Sequence, residues 1–256
     1  MDIISSVLKK FMRNILALIG LKISRIYPNV DVFPVEATAF HREVISRSSK
    51  YSMTGLTRMW ALTNSFEYIQ KNNVPGDYVE CGVWQGGNLI LLAALQDSIG
   101  ANRVIYGFDT FSGMTNPTAN DVDYKGNSAT QMLEKTKKID GQSDIHAFAS
   151  LSIVKKNLLE NNSKNVKLIQ GDVCNTLLEP ENLPSKIAIL RLDTDWYEST
   201  KIELEILYPL LVSGGVLIID DYGHHQGARK AVDEYFQREM PWMHYIDYTC
   251  RLIVKK

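Results

Sequence analysis

The chain has 256 residues, with 28 Lys plus Arg against 29 Asp plus Glu and a formal charge of −1. This length suits one large domain or two small ones, and 45% hydrophobic with 22% charged residues excludes disordered and collagen-like classes. The charge balance removes the whole-protein electrostatic case for coating nucleic acid. Cys81, Cys174 and Cys250 make neither a disulfide framework nor a C-x-x-C zinc pair, so a reducing cytoplasm is the expected compartment.

Residues 5–26 read as a basic amphipathic helix, because Val7, Phe11, Ile15, Leu18 and Ile19 recur near helical spacing among Lys9, Lys10, Arg13 and Lys22. The apolar run falls short of the ~20 residues that span a bilayer, and no small-x-small cleavage site follows it. Such a helix packs on its own domain or on a second copy in a homo-oligomer. The other reading is peripheral contact with the inner face of a membrane. Residues 1–50 are therefore expected to be an extension, helical and then irregular around Val32-Phe33-Pro34, ahead of a domain at 51–256.

A second helix is expected at 57–71, where Met59, Leu62, Phe66 and Ile69 recur at spacings of three and four before Pro75-Gly76 stops the pattern. Strands at 78–81, 104–108, 166–170, 187–192 and 216–220 then alternate with helices at 88–98, 150–161, 199–211 and 226–238. Short apolar runs between amphipathic helices imply βαβ units, hence an α/β fold with a mostly parallel sheet covered on both faces. Segments 245–248 and 250–254 close the chain as paired or continuous strands of open orientation. Between 110 and 141 the pattern lapses into a polar stretch with Asp121, Asp123 and Tyr124, long enough to be a lid.

In an open parallel sheet, ligands bind outside the carboxyl ends of the strands. The first strand ends in Glu80-Cys81-Gly82-Val83-Trp84-Gln85-Gly86-Gly87-Asn88, a Gly-rich turn opening a helix. It is not G-x-G-x-x-G, since Trp84 stands where a close-packed glycine is needed, so it fits a dinucleotide pyrophosphate poorly. Asp109 ends the second strand at the distance where acidic residues hold ribose hydroxyls, so the pair suggests an adenosine without a diphosphate. The bland alternatives are helix–strand packing for the glycines and a loop cap for Asp109. Asp172 adds a carboxylate at the end of the third strand.

Leu192-Asp193-Thr194-Asp195-Trp196 ends the fourth strand, and Asp220-Asp221-Tyr222-Gly223-His224-His225 the fifth. If these strands are neighbours, Asp193, Asp220 and Asp221 converge, and their repulsion is relieved by a hard cation. All-oxygen donors favour Mg²⁺, with Mn²⁺ possible. The bland alternative makes Asp195 the cap of the next helix and leaves one of the Asp220-Asp221 pair in solvent. His224 or His225 could accept a proton beside such a site.

The Glu80–Gly87 run, preceded by Met53-Thr54 and Gly76-Asp77-Tyr78-Val79, resembles the macrocin O-methyltransferase family of S-adenosylmethionine-dependent enzymes. So do Gly107-Phe108-Asp109-Thr110-Phe111-Ser112-Gly113-Met114, Leu192–Thr200, and Gly214-Gly215 leading to Asp220-Asp221-Tyr222. The resemblance covers about 51–236 and implies a class I methyltransferase (Rossmann-like) fold, whose seven-stranded sheet has one antiparallel strand. It implies Mg²⁺-dependent methylation of a hydroxyl, commonly on a sugar or a glycosylated metabolite or glycan. Cofactor contacts then fall on Met53, Thr54, Glu80, Gly82, Gly86, Asn88, Asp109 at the ribose and Asp172 near the adenine. The metal falls on Asp193, Asp220 and Asp221, and the base on Asp193 first and His224 second. Asn88 stands where the family often has serine, and Gln85 where it usually has arginine.

Two rival functions use other features. Asp193-Thr194-Asp195 matches the D-x-D of metal-dependent glycosyltransferases, and the basic N-terminal helix would suit a non-catalytic membrane or assembly adaptor that keeps a methyltransferase fold.

Overall fold

The structure, a computed structural model, describes residues 33–256, so the helix expected at 5–26 lies outside the described residues. The chain divides into Met1–Glu36 and Ala37–Lys256, and the second unit carries everything that follows. Its strands are β1 (Asp77–Cys81), β2 (Ile105–Asp109), β3 (Val166–Gln170), β4 (Ile187–Leu192), β5 (Leu211–Ile219), β6 (His244–Tyr245) and β7 (Arg251–Val254). They form one sheet in the order β3-β2-β1-β4-β5-β7-β6. Strands β1 to β5 pair in parallel, β7 runs antiparallel to β5, and β6 antiparallel to β7. This is the class I methyltransferase sheet, mostly parallel with one reversed strand. The chain winds outward from β1 to β3 on one side and from β4 to β5 on the other. That reversal opens a crevice at the carboxyl ends of β1 and β4.

Helices α1 (Ala39–Ser48), α2 (Leu56–Lys71) and α3 (Gly87–Ser98) pack together, and α2 and α3 lie against the sheet. After α4 (Ala129–Glu134), α5 (Leu151–Glu160) and α6 (Val173–Thr176), α7 (Tyr197–Leu210) lies against β4 and β5 beside α8 (Gln226–Tyr235). Burial on both faces is why β4 reads as an apolar run broken only by Arg191 rather than an alternating one. Every residue of β4 is buried. Val79, Leu190, Leu192, Leu204, Leu207 and Leu217 belong to one buried cluster between the sheet and α7, each buried side chain contributing roughly 2 kcal/mol.

Several boundaries differ from the sequence reading. Residues 39–48 form a helix where irregular chain was expected, and a division at residue 50 would separate α1 from the α2 and α3 it packs on. The Thr38 hydroxyl accepts from the His41 amide at 3.2 Å, and His41 Nδ1 accepts from the Thr38 amide at 3.4 Å. This is a capping box with histidine in the place of the usual Glu or Gln, so the recognisable signature is missing. Strand β5 begins at Leu211, ahead of the expected 216, because Leu211 pairs with Ile187 before a bulge. The C-terminal strands are separate and antiparallel. The turn between them is held by Asp247 Oδ1, which accepts from the amides of Thr249 and Cys250.

Candidate active site

The donor side is built where β1 leaves the sheet. Gly82 has φ +85°, and a Cβ on it would lie 1.9 Å from the backbone oxygen of Asp193, so only glycine lets the exits of β1 and β4 pass this closely. Gly87 is constrained differently: its Cβ would meet Ser48 O at 2.7 Å and Ser52 Cβ at 2.6 Å, which brings the end of α1 against the start of α3. Asp109 staples this turn. Its Oδ2 accepts from the amides of Val83 at 2.8 Å and Trp84 at 3.1 Å, and its Oδ1 from Phe111 at 2.7 Å. Burial pushes this carboxyl above its ordinary value, while the amide hydrogen bonds pull it back. Asp172 caps α6, its Oδ1 accepting from the Cys174 amide at 2.9 Å.

A solvent-connected cleft opens beside this turn, and Met53, Thr54, Gly82, Asn88, Asp109 and Asp172 line it. Glu80 sits behind Asn88, whose Nδ2 donates to Glu80 Oε1 at 2.8 Å, and Gly86 shapes the start of α3 in a left-handed conformation. Two buried acceptors, Glu80 Oε2 and Asn88 Oδ1, have no hydrogen-bond partner among the described residues. Buried acceptors demand donors, and the ammonium and ribose hydroxyls of S-adenosylmethionine are of that kind. These two acceptors therefore fit the cofactor.

The acidic side is built by β4 and β5, whose parallel register sets Leu192 beside Ile219. Carboxylate oxygens of Asp193, Asp220 and Asp221 accordingly lie within 4.8 Å of one another. What holds them was missed in the sequence. Arg191 is 3% exposed; its Nη1 donates to Glu80 Oε1 at 2.7 Å and Asp193 Oδ2 at 2.6 Å. Its Nη2 donates to Asp220 Oδ1 at 2.5 Å and Thr54 Oγ1 at 2.9 Å. The signal was present as a charge inside the apolar run Ile187–Leu192, because a buried charge requires partners. Arg58, from the first turn of α2, donates to Asp220 Oδ2 and pairs with Asp247 Oδ2 at 3.1 Å; nothing in the sequence singled it out.

Acid still outweighs base. Burial pushes the Asp193 carboxyl well above the usual range, against the pull of Arg191, with Asp220 and Asp195 adding to the rise. Asp221 is raised by burial and by Asp195 and Asp193. A further cation would relieve both, and the all-oxygen donor set suits a hard divalent ion. Asp220 has both oxygens held by arginines, whereas Asp193 Oδ1 and Asp221 Oδ1 accept no hydrogen bond among the described residues. The free oxygens of Asp193 and Asp221, with Asp220 limited to the lone pairs its arginines leave, thus fit Mg²⁺ or Mn²⁺.

The two histidines separate. His225 is buried, with Nε2 3.2 Å from Asp195 Oδ1 and its ring edge-on to Trp196. Burial opposes its charge, but Asp195 together with Asp121 and Asp123 outweighs burial and raises its pKa. Asp195 is held at about 2 by His225 despite its burial. His224 lies outside the cleft lining, with Nδ1 3.0 Å from the Tyr248 hydroxyl; burial and His225 lower its pKa. Asp195 does not cap α7. That place is taken by Asp121 of the 110–141 loop, whose Oδ1 accepts from the Tyr197 amide at 2.7 Å. The same loop is held by Trp196 Nε1 donating to Thr115 O and by Gln226 Nε2 donating to Asp123 O.

The profile of the Macrocin-O-methyltransferase (TylF) family matches residues 35–253. The chain belongs to this family. It is similar to demethyldecarbamoylnovobiocin O-methyltransferase of Streptomyces niveus, 31% identical over 196 residues, which are 73% of this chain and 68% of the relative. It is also 32% identical, over 194 residues, to the 8-demethyl-8-(2,3-dimethoxy-alpha-L-rhamnosyl)-tetracenomycin-C 4'-O-methyltransferase of Streptomyces olivaceus, with the same shares of the two chains, 73% and 68%. The solved structure of the O-methyltransferase NovP superposes with a TM-score of 0.68 at 29% identity, covering 80% of this chain and 82% of NovP. The macrocin-family chain is therefore an O-methyltransferase of class I fold with S-adenosylmethionine as methyl donor. Family membership sets aside the glycosyltransferase reading. No helix among the described residues is long and apolar enough to cross a membrane.

Proposed function

We propose that this enzyme methylates a sugar hydroxyl on a metabolite or glycan, with the donor at the Gly82–Asn88 turn and the acceptor hydroxyl at a divalent cation on Asp193, Asp220 and Asp221. The observation that carries this reading is the convergence of those three carboxylates beside the donor cleft. The rhamnosyl group named in the Streptomyces olivaceus relative supports a sugar as the acceptor.

The cofactor supplies an electrophilic methyl, and the cation lowers the hydroxyl's pKa and sets its direction. The chain's own residues do the rest. Glu80 and Asn88 offer their unpartnered oxygens to the donor, and Asp109 keeps the turn in shape while presenting its remaining lone pairs to the ribose. Trp196 and Asp121 fix the 110–141 loop over the cleft, which limits water at the reacting atoms. Asp193 is the first candidate to accept the acceptor's proton, through whichever of its oxygens the cation would leave free. His224, the second candidate from the sequence, lies outside the cleft lining beside Tyr248 and is the weaker choice.

Calorimetry with S-adenosylmethionine, combined with an assay of methyl transfer to a set of glycosides, tests this reading. Asp109→Ala is expected to weaken cofactor binding by about tenfold or more, since it releases three backbone amides as well as the ribose contact. Chelation with EDTA is expected to stop turnover without displacing the cofactor. Undiminished turnover in EDTA would remove the metal from the mechanism.

Cofactor affinity is also expected to depend on pH. Burial raises the Glu80 carboxyl to about 7, with Arg191 opposing. The ionised carboxylate is the form that accepts from the cofactor, so binding releases a proton below that value. Affinity should rise by up to about tenfold per pH unit towards pH 7 and then level off. Glu80→Gln should flatten this profile, and an unchanged slope in that variant would assign the dependence to another group.

A further inference from the structure

Glu80 and Arg191 are register partners across β1 and β4, and Arg191 is the partner of Ile218 across β4 and β5. Alternation along each strand then puts Asp193, two residues beyond Arg191, and Asp220, two beyond Ile218, on the same face as Glu80. The guanidinium lies in the middle of this array and donates to all three carboxylates and to Thr54. Arg191 does not line the cleft, is 3% exposed, and commits Nη1 and Nη2 to Glu80, Asp193, Asp220 and Thr54, whereas Glu80, buried behind Asn88, keeps Oε2 without a partner among the described residues. The planar fork of Arg191 sets the direction of carboxylates from both halves of the site.

We propose that Arg191 is a positioning residue that locks the donor-side carboxylate Glu80 and the acceptor-side carboxylates Asp193 and Asp220 into one unit, so that losing its fork weakens cofactor and divalent-cation binding together. The inference rests on the reading of Asp193 and Asp220 as cation ligands. Residues that orient ligands from behind commonly change affinity by 10 to 100-fold, roughly, when replaced.

The test uses the full chain, with S-adenosylhomocysteine and Mn²⁺ titrated separately by calorimetry and thermal unfolding recorded alongside. Arg191→Lys keeps the charge and loses the fork; both dissociation constants are expected to rise by about tenfold or more. Leu204→Ala, in the core against α7, shows what instability alone does, and should leave both constants within about twofold. Glu80→Gln is the second variant should Arg191→Lys not fold. With Glu80 neutral, Arg191 turns wholly to Asp193 and Asp220 and competes with the cation, so Mn²⁺ affinity falls several-fold, roughly, although Glu80 belongs to the donor side. Retention of both affinities in Arg191→Lys, loss of only one, or unchanged Mn²⁺ affinity in Glu80→Gln overturns the inference. A wild-type chain that does not bind Mn²⁺ overturns the metal reading as well, whereas wild-type binding with an unaffected Arg191→Lys overturns this inference alone.

Discussion

Replacing Asp193 or Asp221 by alanine is expected to lower methyl transfer by about 10³-fold or more while cofactor affinity stays within a few-fold, roughly. A loss of this size amounts to about 4 kcal/mol of transition-state stabilisation. Both side chains line the cleft and neither holds the Val83, Trp84 or Phe111 amides that Asp109 accepts from, so the donor turn keeps its shape. In the proposed mechanism Asp193 has two tasks, cation ligand and proton acceptor, and Asp193→Asn separates them from its structural contact, because the amide oxygen can still accept from Arg191. Single-turnover assays at saturating cofactor read the chemical step directly. Turnover at the wild-type rate in Asp193→Ala or Asp221→Ala would defeat the assignment of the metal to these residues.

Gly82→Ala is expected to cost about 3–5 kcal/mol of stability, at the upper end for a point substitution, and to abolish cofactor binding. Two effects add. Alanine at φ +85° is strained by about 1–2 kcal/mol. Its Cβ would also sit 1.9 Å from the Asp193 backbone oxygen, and neither β1 nor β4 can retreat inside a parallel sheet paired on both sides. Relief would have to push Asp193 out of register with Asp220. Gly100→Ala is the matched comparison. It has φ +67° but nothing within 4 Å of the added Cβ, so only the strain of about 1–2 kcal/mol should appear. Thermal unfolding and cofactor calorimetry on the two variants make the comparison. Equal stabilities would refute the argument from close approach.

The strand-end carboxylates were legible because strand and position are both local: an apolar run, its end, and the acid that follows. The Gly-rich turn, Asp109, Asp172, Asp193, Asp220 and Asp221 could all be found this way, and all of them line or shape the cleft. Helix α1 was not legible, since only Val44 and Ile45 mark its apolar face and its cap uses His41. The separate roles of the adjacent His224 and His225 were equally hidden. One faces Tyr248 and the other Asp195, a choice made by the backbone of the turn after β5.

By itself, the sequence determined the order of strands and helices, the parallel core and the acidic rim, because hydrophobic periodicity and strand ends are properties of neighbours along the chain. The tertiary structure alone decided how that rim is neutralised. Arg191 meets Glu80 across 111 positions and Arg58 meets Asp220 across 162, and no local pattern carries a pairing at such separations. A buried charge announces that it needs partners, but Coulomb energy depends on distance in space, and only the sheet register sets that distance.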